Sequence, residues 1–391
     1  MKALPVLSIG FRPFFLLAAL YAVLSIVLWV LTYTGAHALP TLWNPVLWHG
    51  HEMIFGFTMA VVAGFLLTAS ANWTGQPPVR SWTLLGLVVL WMAGRAAMLS
   101  DFLPAHYAAI IEGAFLPAVI LSLAPMLIRA EQLRNMAFLV ILTLFTLLNI
   151  GIHLSVLGVI ETSASNLLYL AVHVVIFLIA VIGGRVLPFF TRNGLTQRGH
   201  DIEIKAFPYI NEISLSILLV TCLYGYISAF SGVVFGILAL CTSALHLARL
   251  TQWKSHKTLS VPIIWILHFG YFWLVLGFFL EGLYALGVLV SFQAVLHTFT
   301  IGAIGTMILG MMTRVCLGHT GRPIVSLKSM VIAYVLLQGA ALSRLIGETV
   351  LVNYYTESVQ VSGYLWAASF GLFAIRYARM LLTKRPDGKS A

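Results

Sequence analysis

Charged residues are scarce in this chain. Only 9% of its 391 residues are Asp, Glu, Lys or Arg, whereas 60% are hydrophobic. Because soluble domains carry roughly 25% charged residues, this composition excludes a soluble enzyme and indicates a protein embedded in the lipid bilayer. Acidic residues are fewer than basic residues, 12 against 22, which leaves a net charge of +10. The basic residues lie in short loops between apolar runs, where they set membrane topology, so we expect no nucleic-acid partner.

Cysteine is almost absent. Cys222, Cys241 and Cys316 lie in or at the ends of apolar runs, with no CxxC or CxxCH spacing. This pattern excludes a disulfide framework and covalent attachment of a c-type haem. It also provides no thiolate cluster for zinc or for an iron–sulfur centre.

Apolar runs of about 20 residues, the length that crosses a bilayer, recur along the whole chain. The first run is longer than the roughly 7–15 residues of a signal-peptide core, so we expect it to be retained. The predicted spans, twelve in all, are residues 14–34, 47–70, 82–99, 107–129, 136–158, 166–190, 210–229, 232–250, 263–282, 285–313, 328–347 and 358–382.

The loop charges test this count of spans. Basic residues such as Arg80, Arg129 and Arg192 all lie on the side of the N-terminus, whereas the opposite loops carry only acids such as Asp101 and Glu161. An odd number of spans would place basic loops on both sides. By the positive-inside rule, the sequence predicts an all-α protein of twelve spans with both termini in the cytoplasm.

A repeat is visible at a spacing of four spans. His51 in span two and His297 in span ten are each followed by Thr-Gly at the same distance, at Thr74-Gly75 and Thr320-Gly321. Span six carries His173 with a looser match, and spans five and nine also carry one histidine each. We therefore predict a single transmembrane domain made of three four-helix units, residues 1–134, 135–260 and 261–391.

The histidines predict a metal or haem site. A single membrane histidine is more often a hydrogen-bond donor between helices, which is how we interpret His246. A set on five spans at related depths indicates metal ligation instead, and imidazole suits iron and copper. We expect four members of the set in the outer half of the membrane: His49, His51, His153 and His173. We expect His297 near the middle of the membrane and His268 deeper.

Helical geometry separates the two histidines of span two. Residues three apart in a helix share a face, whereas residues two apart do not. We therefore expect His49 and Glu52 to share a face and His51 to point elsewhere, so the two imidazoles should not do the same thing. Glu52 and Glu112 are either proton relays or partners that orient an imidazole.

Arg95 and Arg344 are the two basic residues in the outer halves of the predicted spans. Haem propionates, or the buried acids Glu112 and Glu348, would be natural partners for their guanidinium groups. Glycines along the histidine-bearing spans either leave room for a haem or allow close helix packing.

Several motifs resemble the NnrS family from residue 10 to about residue 375. They are GFRPFF at 10–15, WHGHEM at 48–53, AGFLLTA at 63–69, NWTG at 72–75, IGAIGTM at 301–307 with His297, and LGHTGRP at 317–323 after Thr313-Arg314. The resemblance implies a bacterial inner-membrane protein that contains haem and copper and is linked to nitric oxide metabolism and nitrosative stress. The motif histidines are His49, His51, His153, His173, His268, His297 and His319.

The twelve predicted spans also resemble the core of the haem–copper oxidases and nitric oxide reductases. Span seven lacks the paired histidines of that core, and span ten has one histidine where that core has two. We expect His51 and His297 to be the axial ligands of one haem b. A second haem b or a copper ion would draw on His153, His173 and His268.

The leading hypothesis is a nitric oxide reductase-like oxidoreductase that reduces or detoxifies nitric oxide and receives electrons from a quinol or a cytochrome. In this hypothesis His49 and Glu52 support catalysis, either beside the metal ligands or on a proton path. The alternative is a non-enzymatic nitric oxide sensor, or a transporter of haem or copper. Transport would favour inverted repeats, whereas the predicted units are parallel.

Overall fold

A computed structural model describes residues 4–130, 133–199, 202–204, 207–289 and 291–388. Every regular element in these residues is helical, and twelve helices are long and apolar enough to cross a membrane. The predicted all-α, multi-pass class is therefore confirmed. The helices are α1 Phe11–Tyr33, α2 Pro45–Thr74, α3 Ser81–Met98, α4 Ala105–Arg129, α5 Asn135–Val156, α6 Ala164–Thr196, α7 Ile210–Ile227, α8 Val233–Gln252, α9 Pro262–Ala285, α10 Phe292–His319, α11 Lys328–Thr349 and α12 Val352–Leu382.

The largest difference from the predicted boundaries lies at span ten. We predicted residues 285–313, but α9 continues to Ala285 and α10 begins only at Phe292. Gly287, with a φ of 76°, turns the chain between them. His297 is therefore the sixth residue of its helix, much as His51 is the seventh residue of α2. The expectation that His297 lies near the middle of its span was wrong.

The described chain separates into two compact units, rather than at the boundaries of the three predicted repeats. The first unit contains residues 1–171, 315–323 and 370–391, and the second contains residues 172–314 and 324–369. The threefold repeat remains a prediction.

In the first unit, small residues bring α1 and α2 close together. A side-chain carbon on Gly64 would lie 2.9 Å from Cβ of Phe14, and the amide of Phe11 donates to Thr68 Oγ1 at 2.9 Å. Arg12 donates to the carbonyls of Leu381 and Thr383, at 3.0 and 2.6 Å. A cation at the carboxyl end of α12 also complements the helix dipole.

The second unit uses the same packing devices. The Cβ position of Gly236 in α8 is 3.2 Å from the carbonyl oxygen of Gly282 in α9. Thr313 and Tyr334 join α10 to α11 through a hydroxyl–hydroxyl bond of 2.6 Å. Since lipid is as apolar as the helices, such small residues and buried hydrogen bonds are what hold membrane helices together.

Two of the spans contain π-helical turns. In α2 the turn covers Glu52–Thr58, directly after His51, and in α10 it covers Thr298–Gly305, directly after His297. Such turns are rare and are frequently found at functional sites. Just beyond each helix a glycine has a positive φ, 67° at Gly75 and 70° at Gly321. The local structure of α2 therefore resembles that of α10 over these segments.

Candidate metal centre

Three buried side chains of the first unit come together where α2, α4 and α5 meet. Nε2 of His51 lies 3.8 Å from Oε2 of Glu112, and Nε2 of His153 lies 3.0 Å from the same oxygen. One ligand atom from each residue lies within 4.8 Å of the other two. We call His51, Glu112 and His153 the candidate centre.

The donor set of the candidate centre fits a metal ion. Metal–nitrogen and metal–oxygen bonds of about 2.0–2.2 Å place the ligand atoms of one ion roughly 3–4 Å apart, close to the spacing observed. Two imidazoles and one carboxylate form a set that binds first-row ions such as iron, copper and zinc. The arrangement can therefore hold one ion and leave further coordination positions for a small molecule.

The second nitrogen of His51 is also held. Nδ1 of His51 is 2.9 Å from Oε1 of Glu52, and the other carboxylate oxygen of Glu52 bonds with the hydroxyl of Tyr21. A carboxylate on the outer nitrogen of an imidazole fixes the ring and raises its basicity toward a metal. Glu52 is therefore placed to orient the ligand His51.

Arg95 joins the two carboxylates of this region. Its Nη1 donates to Glu52 at 2.7 Å and its Nη2 donates to Glu112 at 2.6 Å. Two carboxylates and one guanidinium leave one negative charge in excess when the imidazoles are neutral. Because buried charge without a partner is expensive, this excess favours a cation between the ligands.

Asn149 connects the two sides of the candidate centre. Its amide nitrogen donates to Oε2 of Glu112 at 2.7 Å, and its Oδ1 is 2.9 Å from Nε2 of His51. An ion bound to Nε2 of His51 would replace the contact between that nitrogen and Oδ1 of Asn149. Asn149 stands four residues before His153 in α5, so the two share a face. That spacing could have identified Asn149 from the sequence.

Two glycines allow the helices to approach this closely. A Cβ on Gly56 would lie 2.7 Å from Nη1 of Arg95, and a Cβ on Gly94 would lie 3.2 Å from the backbone of Glu112. The carbonyl of Gly56 accepts a hydrogen bond of 3.0 Å from Trp91 Nε1. The absence of side chains at both positions is what leaves space for the guanidinium and for α4.

Trp43 closes the candidate centre on one side. Its ring meets the rings of His51 and His153 edge-on, with centroids 4.9 and 5.1 Å away. Trp43 also lines a small, mostly apolar surface pocket, together with Thr41, Leu42, Ala97, Met98, Ser100, Leu103, Ala105 and Ala108. The indole therefore separates this pocket from the two imidazoles. The sequence contained no signal for this role, because Trp43 lies in a loop.

His49 lies outside this group of side chains. Its ring stacks on Trp29 with a centroid distance of 4.6 Å. The expected separation of His49 from His51 is present. His49 and Glu52 both face α1, as their spacing of three residues predicts, because Glu52 bonds to Tyr21 of the helix that also carries Trp29.

His173 and His268 lie in the second unit, each in its own surroundings. His173 bonds to Glu281 at 3.0 Å and stacks on Phe230, with centroids 4.8 Å apart. His268 bonds to Thr191 and Ser255, both at 2.8 Å. Glu281 lies thirteen positions after His268 in α9, which is roughly 20 Å along the helix. The structure therefore does not bring His173 and His268 to one centre.

His297 is anchored through one nitrogen. Nδ1 lies 2.8 Å from the carbonyl oxygen of Gln293 and 3.4 Å from Oε1 of Glu348. A metal-binding imidazole usually donates its second nitrogen to a carbonyl or carboxylate in this way. Nε2 is therefore the nitrogen of His297 that would be left to bind a metal.

Two further predictions concern polar pairing. His246 bonds to the hydroxyl of Tyr271 at 2.6 Å, which confirms the predicted bond between helices. Arg344 pairs with Glu348, as Arg95 does with Glu112.

The glycines of the histidine-bearing spans are packed by side chains, since the Cβ positions of Gly302 and Gly305 lie against Trp273 and Trp366. Close packing accounts for these glycines.

The fold and these side chains define a multi-pass helical membrane protein with a buried histidine–glutamate group of metal-binding type. The NnrS protein family matches residues 5–385, so the chain belongs to the NnrS family. Membership suggests a role linked to nitric oxide. Comparison with curated proteins finds no match.

Proposed function

We propose that this protein is a haem-dependent membrane oxidoreductase that reduces or detoxifies nitric oxide and protects a bacterium against nitrosative stress. The observation that carries the proposal is the candidate centre, three metal-ligand side chains buried among membrane helices with one excess negative charge. Ionisable groups at such positions are costly and are usually functional.

The setting of the candidate centre suits this substrate. Nitric oxide is small and uncharged and dissolves in the bilayer, so it needs no polar channel to reach a buried ion. Displacement of Trp43 would connect the apolar surface pocket to the candidate centre as a second approach. We place the protein in the bacterial inner membrane with both termini in the cytoplasm, from the distribution of loop charges. This orientation would put the candidate centre in the outer half of the membrane.

The reduction of nitric oxide also requires electrons and protons. Electrons would come from a quinol or a cytochrome. Protons would be held by the carboxylates Glu52 and Glu112, while Arg95, which stays protonated, would keep both carboxylates in place through its hydrogen bonds. Glu52 would both orient His51 and hold a proton at its carboxylate. His49, which stacks on Trp29, would be outside this group.

We propose a revised division of the histidines between cofactors. Both nitrogens of His51 are engaged inside the first unit, so His51 would serve a single ion, such as copper, together with His153 and Glu112. The haem b would be held by His297 through Nε2. A bound haem supplies a redox-active iron that binds nitric oxide. His173 and His268 keep a role only if a second haem is present.

Nitric oxide consumption by the purified protein tests the enzyme. We expect anaerobic consumption with a chemical reductant, and we expect His153→Ala and Glu112→Gln to reduce its rate at least tenfold. The exposed His106→Ala serves as the matched control and should keep the native rate. Haem-containing protein that binds nitric oxide without consuming it would favour the alternative, a sensor. Absence of a reduced b-type haem band would refute the redox proposal.

A further inference from the structure

The second unit repeats the surroundings of His51 in an incomplete form. In the first unit a histidine precedes a π-helical turn, and an arginine from the next span lies beside its acidic partner. In the second unit His297 precedes the turn of α10, and Arg344 comes from the next span, α11. Nη2 of Arg344 pairs with Glu348 and lies 3.3 Å from Nδ1 of His297. The two sites therefore share their basic plan.

The two arginines differ in how many carboxylates they hold. Arg95 forms an ion pair with a carboxylate at each terminal nitrogen, with Glu52 at Nη1 and with Glu112 at Nη2. Arg344 carries Glu348 on Nη2, while its Nη1 is buried and has no hydrogen-bond partner among the described residues. The whole Arg344 residue is only 5% exposed. Arg344 thus lacks the second carboxylate that Arg95 has in the first unit.

We infer that a carboxylate of a bound ligand pairs with Nη1 of Arg344. Leaving a buried charged donor unpaired is costly, more so than for a neutral group, and a guanidinium pairs best with a carboxylate. The same site presents Nε2 of His297 for a metal, and the His297 side chain keeps 18% of its surface exposed. A ligand with both an iron atom and carboxylates satisfies both groups, and haem with its propionates has this chemistry. Resting on the proposed function, the inference assigns Arg344 as the partner of a haem propionate.

Binding of haem and of its dimethyl ester tests this assignment without any turnover. The ester has the same iron and ring but no carboxylate. We expect the detergent-purified full-length protein, prepared without haem, to bind haem about tenfold or more tightly than the ester in absorbance titrations. Arg344→Gln should bind the two porphyrins equally. Arg192→Gln, a change at an exposed arginine of the same unit, should keep the native preference.

A second variant controls for misfolding of Arg344→Gln. Removing Arg344 alone leaves Glu348 buried without its partner, so Arg344→Gln/Glu348→Gln, which removes both charges, should fold and should also bind the two porphyrins equally. A preference for haem that persists in both variants would overturn the assignment, as would equal binding by the native protein. Native protein that binds neither porphyrin would overturn both this inference and the proposed function. A native preference without nitric oxide consumption would support the inference and refute the proposed enzyme.

Discussion

At the scale of the residue, Arg95 balances the charges beside the candidate centre. It donates to Glu52 and Glu112 from its two terminal nitrogens, and all three side chains are buried. A guanidinium presents a planar fork of donors that can hold one acid on each terminal nitrogen, whereas the ammonium of a lysine is a single point of charge. Arg95 therefore determines whether the two carboxylates can stay ionised inside the membrane.

We expect Arg95→Ala to destabilise the protein by about 3–5 kcal/mol, the usual cost of breaking a buried ion pair. The shift in the midpoint of thermal unfolding in detergent measures this loss. Arg80→Ala, at an exposed arginine of the same unit, should change the midpoint little. Adding Glu52→Gln to Arg95→Ala should restore part of the stability, because it removes one uncompensated charge. Equal midpoints for the Arg95 and Arg80 variants would show that the ion pairs do not form.

Trp43 separates the candidate centre from the neighbouring pocket. We expect Trp43→Ala to speed the removal of a bound ion by a water-soluble chelator at least tenfold, because the indole covers both imidazoles. Metal release is followed by time-resolved metal analysis after addition of chelator. Trp82→Ala, at a tryptophan that is 72% exposed, is the matched control. Equal release rates in the two variants would contradict a barrier at Trp43.

At the scale of the element, α2 shows how far helical spacing predicts the direction of side chains. The α-helical spacing rule correctly separates His49 from His51, and it correctly puts His49 and Glu52 on one face, where they contact Trp29 and Tyr21 of α1. The π-helical turn that starts at Glu52 bonds each residue to the fifth one before it. No residue type in this segment signals such a turn, so the directions of the side chains after Glu52 could not be predicted from spacing.

Gly56 tests the packing of α2 against Arg95. A Cβ there would lie 2.7 Å from Nη1 of Arg95 and 3.0 Å from Oε2 of Glu52. We expect Gly56→Ala to displace the guanidinium and to lower the metal content of the purified protein by at least half. Gly86→Ala is the matched control, because a Cβ at this glycine of α3 has no neighbour within 4 Å. Full metal content in Gly56→Ala would show that this close approach is not required.

At the scale of the whole molecule, hydropathy and loop charge predict most of the fold. The predicted starts of α3 and α7, at residues 82 and 210, lie within one residue of Ser81 and Ile210. The candidate centre was predicted only in part, because its contacts join distant parts of the chain. His51 and Asn149 are 98 positions apart, and periodicity carries no information about which faces of two spans meet. Depth counted from a wrong helix start also misplaced His297.

The side of the membrane on which each loop lies is a property of the whole molecule that labelling can test. In a variant without the three native cysteines, we expect Glu161→Cys to react with a membrane-impermeant thiol reagent in intact spheroplasts. Arg198→Cys should react only after the membrane is permeabilised, because the positive-inside rule predicts a cytoplasmic position for its loop. Both positions are exposed, so burial does not bias the comparison. The reverse labelling pattern would place the candidate centre on the cytoplasmic side of the membrane.

X-ray absorption at the edge of the bound metal, combined with metal analysis, tests most directly whether the candidate centre holds an ion. We predict one non-haem ion per chain with two imidazole nitrogens and a carboxylate oxygen at about 2.0–2.2 Å. One imidazole should be lost in His153→Ala, and the ion itself should be lost in His51→Ala/His153→Ala. The control His106→Ala should match the native spectrum. An unchanged spectrum and metal content in the double variant would contradict a metal site formed by His51, Glu112 and His153.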